Sequence, residues 1–243
     1  MVPVELKIWG DDMEKKFTIE KMRGGIIVSC QALPDEPLYG SDIMAKMAKA
    51  AEIGGAVGVR ANTIEDIITI KKTTELPVIG IIKKEYMGFE PYITPTILEV
   101  SQLVSTNIDI IAVDATNRLR PGDLSPEKFL KLIKKSYNIL VMADISTYEE
   151  GIAAAEYGAD IISTTLSGYT SYSIQNDGPD FNLIRKLSRS VNIPVIAEGR
   201  IESPEQAGKC IIEGAFAVVV GGAITRPQLI IRRYADFLKE YVS

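Results

Sequence analysis

Apolar residues along this chain follow two alternating patterns. Eight short runs rich in valine and isoleucine recur at intervals of about 25 to 30 residues, and between them the apolar positions keep helical spacing. The runs are GIIVSCQ (25–31), AVGVRA (56–61), PVIGIIK (77–83), IDIIAVDAT (108–116), ILVMADIS (139–146), ADIISTTLS (159–167), IPVIAEG (193–199) and FAVVVGG (216–222). Seven of them are nearly continuous in apolar side chains, and no tight hairpin turn joins one to the next. Parallel strands buried on both faces read this way.

The intervening segments carry helix punctuation. Ser125-Pro126-Glu127, Thr147 with Glu150, Ser203-Pro204-Glu205-Gln206 and Thr225-Arg226-Pro227-Gln228 each pair a capping hydroxyl with an early proline or with an acid or amide three residues on. Gly55-Ala56, Gly158-Ala159 and Gly214-Ala215 sit where a helix should end before the next strand. Eight such units in roughly 220 residues predict an α/β chain folded as one (β/α)8 TIM barrel over residues 23–243, since that fold typically takes ~250 residues. The alternative is a doubly wound open sheet, which more often has five or six strands and a glycine-rich first turn; no GxGxxG occurs here. Residues 1–22, with the only tryptophan, Trp9, form an N-terminal arm. The pattern does not choose between capping the barrel bottom, pairing with another subunit and disorder.

Barrels of this kind place their chemistry at the C-terminal ends of the strands. The odd-numbered runs end in Gln31, Lys83, Asp144 and Glu198. Counting back by two gives Ser29, Ile81, Met142 and Ile196, then Ile27, Ile79, Leu140 and Pro194, as inward layers from alternate strands would. The layer at the mouth is then wholly polar, with Lys83 and Glu198 on opposite sides of it. Singly, each of these residues is explained as a satisfied polar cap; four in one layer point to a site. The last two runs close in EGR (198–200) and VVVGGAITRP (218–227). Glycines there let backbone N–H groups approach an anion, so Gly199, Gly221 and Gly222 are candidate phosphate contacts with Arg226 as charged partner. Arg60 and Arg200 add positive charge at strand ends, whereas Lys84, Arg118 and Arg120 are expected on a solvated rim. The polar loop 168–180 fits either a lid or an ordinary connection.

Composition narrows the chemistry. The chain has 27 basic and 32 acidic residues, a net charge of −5, two cysteines and no histidine. Without imidazole there is no Ser-His-Asp or Cys-His machinery and no histidine metal site, so protons must move through lysine, carboxylates or tyrosine. The acidic balance gives no reason to expect nucleic acid or an anionic membrane as partner. No apolar run approaches the roughly 18 residues of a membrane span, and the N-terminus lacks a secretion-signal core. With only Cys30 and Cys210 available, a reducing, cytoplasmic setting is expected.

Seven segments, IVSCQALPDEPL (27–38), GVRAN (58–62), PVIGIIKK (77–84), MADIST (142–147), STTLSGYT (163–170), EGRIESPE (198–205) and VVGGAITRP (219–227), together resemble the N-acylglucosamine-6-phosphate 2-epimerases. The likeness runs from about residue 24 to 235. It implies a (β/α)8 barrel without metal or organic cofactor that interconverts N-acetylmannosamine 6-phosphate and N-acetylglucosamine 6-phosphate in amino-sugar and sialic acid breakdown. It further implies Lys83 as catalytic base and Glu198 as its catalytic partner. Gln31, Arg60 and Asp144 would contact substrate, and Gly221, Gly222 and Arg226 would lie near its phosphate. A sugar phosphate is then the expected small-molecule partner, and a homodimer the expected assembly. Two other readings stay open: a Schiff-base sugar-phosphate lyase of the aldolase type, and a non-catalytic sugar-phosphate-binding protein.

Overall fold

A computed structural model describes residues 13–241. In chain order its elements are a helix over 13–20 (α1), β1 (Ile26–Cys30), α2 (Ser41–Ile53), β2 (Gly58–Asn62), α3 (Ile64–Lys71), β3 (Val78–Ile81), α4 (Ile97–Val104), β4 (Ile110–Asp114), α5 (Pro126–Ser136), β5 (Leu140–Asp144), α6 (Tyr148–Glu156), β6 (Ile161–Ser163), α7 (Phe181–Ser190), β7 (Val195–Glu198), α8 (Pro204–Ile212), β8 (Ala217–Val220), a short α9 (Gly222–Thr225) and α10 (Pro227–Lys239). The strands pair in parallel in sequence order, and β8 returns to β1 to close a (β/α)8 barrel.

Strand alternation produces two cores. Ile27, Ile79, Ile81, Leu140, Met142 and Ile196 point inward with Ala112, Ala217 and Val219 and fill the barrel. The intervening residues, among them Val59, Val78, Ile111, Val113 and Val141, point outward onto Ile67, Leu103, Phe129, Ile133 and Leu187 of the surrounding helices. Burial on both faces is why these strands lack the polar alternation of a half-exposed sheet. The inward layers anticipated from the odd strands are present; Pro194 is partly buried below Val195.

The helix punctuation holds at three of its four starts. Ser125, Thr147 and Ser203 accept hydrogen bonds from the backbone N–H of Lys128, Glu150 and Gln206, and Thr147 with Glu150 forms a full capping box. Thr225 does not cap α10. It ends α9, donating its hydroxyl to the Gly221 carbonyl at 2.9 Å, and α10 starts after Arg226 without a side-chain cap.

The expected arm 1–22 lies only partly within the described residues. Its described portion closes the barrel bottom: Met22 is fully buried in the inner core with Ile19 packed against it, and the Gly24 N–H donates to the Phe216 carbonyl at 2.7 Å. At the other terminus α10 buries none of its residues and packs within the chain chiefly against α9. Ile231, Tyr234, Phe237 and Leu238 are all exposed on it.

Candidate active site

The C-terminal strand ends surround a cavity of about 340 Å³. Ser29 of β1 and Gln31 just after it, Arg60 of β2, Lys83 after β3, Glu198 of β7 with Gly199 after it and Gly221 after β8 all face it. The same strand ends that form the polar mouth in sequence therefore enclose one space.

Lys83 lies two residues past β3 on a short antiparallel excursion. Its backbone N–H donates to Asn62 Oδ1 (2.9 Å), the Lys84 N–H to the Tyr92 carbonyl (2.9 Å) and the Thr94 N–H to the Ile82 carbonyl (2.8 Å), so chain 82–84 is zipped to 92–94. This hairpin fixes the lysine and brings Tyr92 and Ile93 to the cavity wall. Among the described residues the Lys83 ammonium has no ion pair or hydrogen bond. Burial, then the like charges of Arg60 and Arg226, push its pKa down to about 8, against a smaller upward pull from Glu198 and Glu36. Lys84, expected on the solvated rim, turns outward and pairs with Glu99 at 3.3 Å.

Across the cavity Arg60 bridges two carboxylates. Its guanidinium binds Asp144 bidentately, at 2.5 and 3.1 Å, and Glu198 at 2.9 Å; both Arg60 and Asp144 are essentially inaccessible to water. Such a pair is held by geometry and by its hydrogen bonds, since desolvation offsets much of the attraction. Burial raises the Glu198 pKa, opposed by Arg60. Thr165 Oγ1 stands 2.7 Å from Asp144 Oδ1 and 3.0 Å from Glu198 Oε2 and so ties the two acids together from β6. Asp144 lies behind Arg60 and does not face the cavity, while Arg60 and Glu198 do. Among the described residues no three acidic or thiol side chains converge as metal ligands would.

At the far side Gly199, Gly221 and Gly222 border the cavity. Gly199 has φ +107°, a conformation that side chains resist, which leaves the chain free to turn from Glu198 toward Arg200. Arg226 lines this end too, but its charge is taken by Glu36, with contacts of 2.5 and 3.0 Å. Among the described residues Arg200 has no carboxylate partner. It donates to the Ser167 carbonyl at 2.9 Å, lies 5.4 Å from the Tyr169 ring centre, and its buried Nε makes no hydrogen bond. Gly168 beside it has φ +78°, a conformation that side chains resist, and a β-carbon there would push the guanidinium aside.

Thus Gln31, Arg60, Lys83, Glu198, Gly199, Gly221, Gly222 and Arg226 come together on one cavity, and Asp144 supports it from beneath. Sequence reasoning did not select Ser29, Tyr92, Thr165 or Tyr169. Ser29 was visible as the inward residue before Gln31, and Thr165 falls in the sixth run, two residues past the end of β6; Tyr92 and Tyr169 lie in loops without periodicity. Arg118 and Arg120 are not on a solvated rim. Arg118 pairs with buried Asp114 at 2.6 Å, and Arg120 is wholly buried against the Phe129 ring.

The fold and this mouth define a (β/α)8-barrel protein with a lysine facing a guanidinium-held carboxylate over a small cavity rich in cationic side chains. Residues 44–240 match the family model described as "Putative N-acetylmannosamine-6-phosphate epimerase", and the chain belongs to that family. A Caldanaerobacter subterraneus subsp. tengcongensis protein named "Putative N-acetylmannosamine-6-phosphate 2-epimerase" is 60% identical over 223 residues, 91% of this chain and 94% of its own length. A protein of the same name from Clostridioides difficile is 53% identical, covering 91% of this chain and 99% of its own. The solved structure of the N-acetylmannosamine-6-phosphate 2-epimerase from Clostridium perfringens superposes with a TM-score of 0.87 at 51% identity, over 90% of this chain and 95% of that one.

Proposed function

We propose that this protein is an isomerase that interconverts N-acetylmannosamine 6-phosphate and N-acetylglucosamine 6-phosphate by removing and returning the proton at C2. The observation that carries the reading is Lys83: an unpaired amine with a pKa near 8, facing a small cavity whose other wall holds fixed charge. In the open-chain sugar the C2–H bond lies next to the C1 aldehyde. Lys83 Nζ takes that proton, the bonding electrons move into C1–C2 to form its double bond, and the carbonyl electrons move onto the C1 oxygen, which becomes the oxygen of a 2-acetamido enolate. Preplaced donors must meet the charge as it forms, and the Arg60 guanidinium and Gln31 amide, which line the same cavity, suit that role. Return of the proton to the opposite face of C2 gives the epimer.

Glu198 is held by Arg60 and Thr165, which suits orientation of the sugar hydroxyls while Lys83 serves both faces. A second reading, Glu198 as the acid for the other face, is supported by the burial that raises its pKa. The phosphate is read at Gly199, Gly221 and Gly222, with Arg226 and the uncompensated Arg200 as its cations. Two buried thiols, Cys30 and Cys210, suit a reducing cytoplasm, and no helix of the described residues is long and apolar enough to cross a membrane. The apolar face of α10 suits a homodimer.

Incubation with N-acetylmannosamine 6-phosphate, followed by NMR of the anomeric protons, is expected to show growth of the gluco epimer. Borohydride added with substrate should leave activity intact. Absence of the epimer together with borohydride inactivation would replace this reading by the Schiff-base lyase, and binding without turnover by a sensor. Glu198→Gln assigns the second group: C2 exchange without epimerisation supports a Glu198 acid, and parallel loss of both supports orientation.

A further inference from the structure

One buried carboxylate takes no part in this chemistry. Glu150 of α6 is 2% exposed and has no cation within ion-pair distance among the described residues. A carboxylate so buried persists only if its oxygens are fully hydrogen-bonded. Five donors do this. Oε1 accepts from the Asn117 N–H (2.8 Å) and the Tyr172 hydroxyl (2.7 Å); Oε2 accepts from the Ser146 N–H and hydroxyl (both 2.8 Å) and from the Thr147 N–H (3.1 Å). The capping box explains only the Thr147 contact. The rest draw three loops of the barrel mouth onto one side chain: β4 to α5 through Asn117, β5 to α6 through Ser146, and β6 to α7 through Tyr172.

The last of these loops reaches the cavity, carrying Thr165 and Tyr169. Thr165 is anchored by Asp144 and Glu198, but beyond Tyr169 the ties of the loop to the rest of the barrel are few. Thr170 Oγ1 meets Ser146 Oγ at 3.1 Å, and Tyr172 meets Glu150; Ser173 and Gln175 bond only within the loop itself. Residues 174–177 are exposed. We infer that the Tyr172–Glu150 hydrogen bond is a latch that holds the β6–α7 loop over the cavity, making both residues positioning residues that act through Tyr169 on substrate binding. The Tyr172 ring is half exposed, so its hydroxyl is not required to fill a core.

A latch of this kind sets the fraction of free protein that is ready to bind, and the apparent dissociation constant is the intrinsic one divided by that fraction. Tyr172→Phe removes only the hydroxyl. Loss of one hydrogen bond to a charged acceptor is expected to raise KM for the sugar phosphate by about tenfold with kcat within about twofold, because bound substrate recloses the loop. Amide exchange in substrate-free protein should quicken over 168–176 and not in the barrel strands. Glu150→Gln, which places an amide NH2 among the donors, should act in the same direction and extend the faster exchange to 117 and 146–147. Unaltered exchange over 168–176 in Tyr172→Phe, or a fall in kcat with KM unchanged, would overturn the latch. The kinetic arm rests on the epimerase reading, whereas the exchange arm needs no substrate, so failure of one is distinguishable from failure of the other.

Discussion

Lys83 owes its low pKa to surroundings rather than to a partner: burial comes first, then Arg60 and Arg226. A lysine with an ordinary pKa near 10.4 is almost entirely ammonium at neutral pH and a poor base. At about 8 a tenth or so is free amine at pH 7, which is enough for catalysis and makes the rate sensitive to pH. The sign follows from the active form being the deprotonated one. From low pH, kcat/KM should rise about tenfold per unit, bend near pH 8 and level off above it. A pH–rate profile flat from 6 to 9 would remove Lys83 as the group that sets the rate. Lys83 and Glu198 were legible because each ends a continuous apolar run whose period places it at the mouth. The Arg60 bridge was not, since its partners lie 84 and 138 residues away and no local pattern encodes a contact at that separation. Arg118 and Arg120 were misplaced on a solvated rim for a different reason: Asp114 is only four residues from Arg118, and it is the burial of this segment, a tertiary fact, that no local pattern shows.

Among the elements, strands and helix caps were the most readable, because burial on both faces and capping hydroxyls leave marks within a few residues. Thr225 shows where such marks mislead. Its hydroxyl and the following proline match a helix start, yet the glycines before it form a separate turn, α9, whose carbonyl the hydroxyl satisfies instead. The 82–94 hairpin left no alternation to find; it depends on Asn62 and Thr94 supplying side-chain bonds to Lys83 and Ile82. Helix α10 carries its own prediction. It is strongly amphipathic, yet Ile231, Tyr234, Phe237 and Leu238 are exposed, as is Tyr241 just beyond it, and the Phe237 and Tyr241 ring centres lie 5.2 Å apart. An apolar stripe of this kind marks an association surface. Sedimentation at micromolar concentration should give a dimer, and the double substitution Tyr234→Glu with Phe237→Glu should give a monomer. A wild-type monomer would refute the assignment of that face.

At the scale of the molecule, closure of the barrel brings β3 and β7 opposite each other and converts two distant strand ends into one site. An inward apolar stack of Ile27, Ile79, Ile81, Met142 and Ile196 supports the mouth, and Arg60, Asp144, Glu198 and Thr165 fix its charge before any substrate arrives. Among the described residues Lys83 is the cation left unpaired at the centre, which supports its proposed role as the carrier of the proton. The most direct test is solvent deuterium uptake at C2 by the Lys83→Ala protein, with binding of N-acetylmannosamine 6-phosphate measured alongside. The prediction is that wild-type protein in D2O delivers product deuterated at C2, while Lys83→Ala binds the sugar phosphate and exchanges nothing. Exchange at the wild-type rate without the lysine would contradict the account.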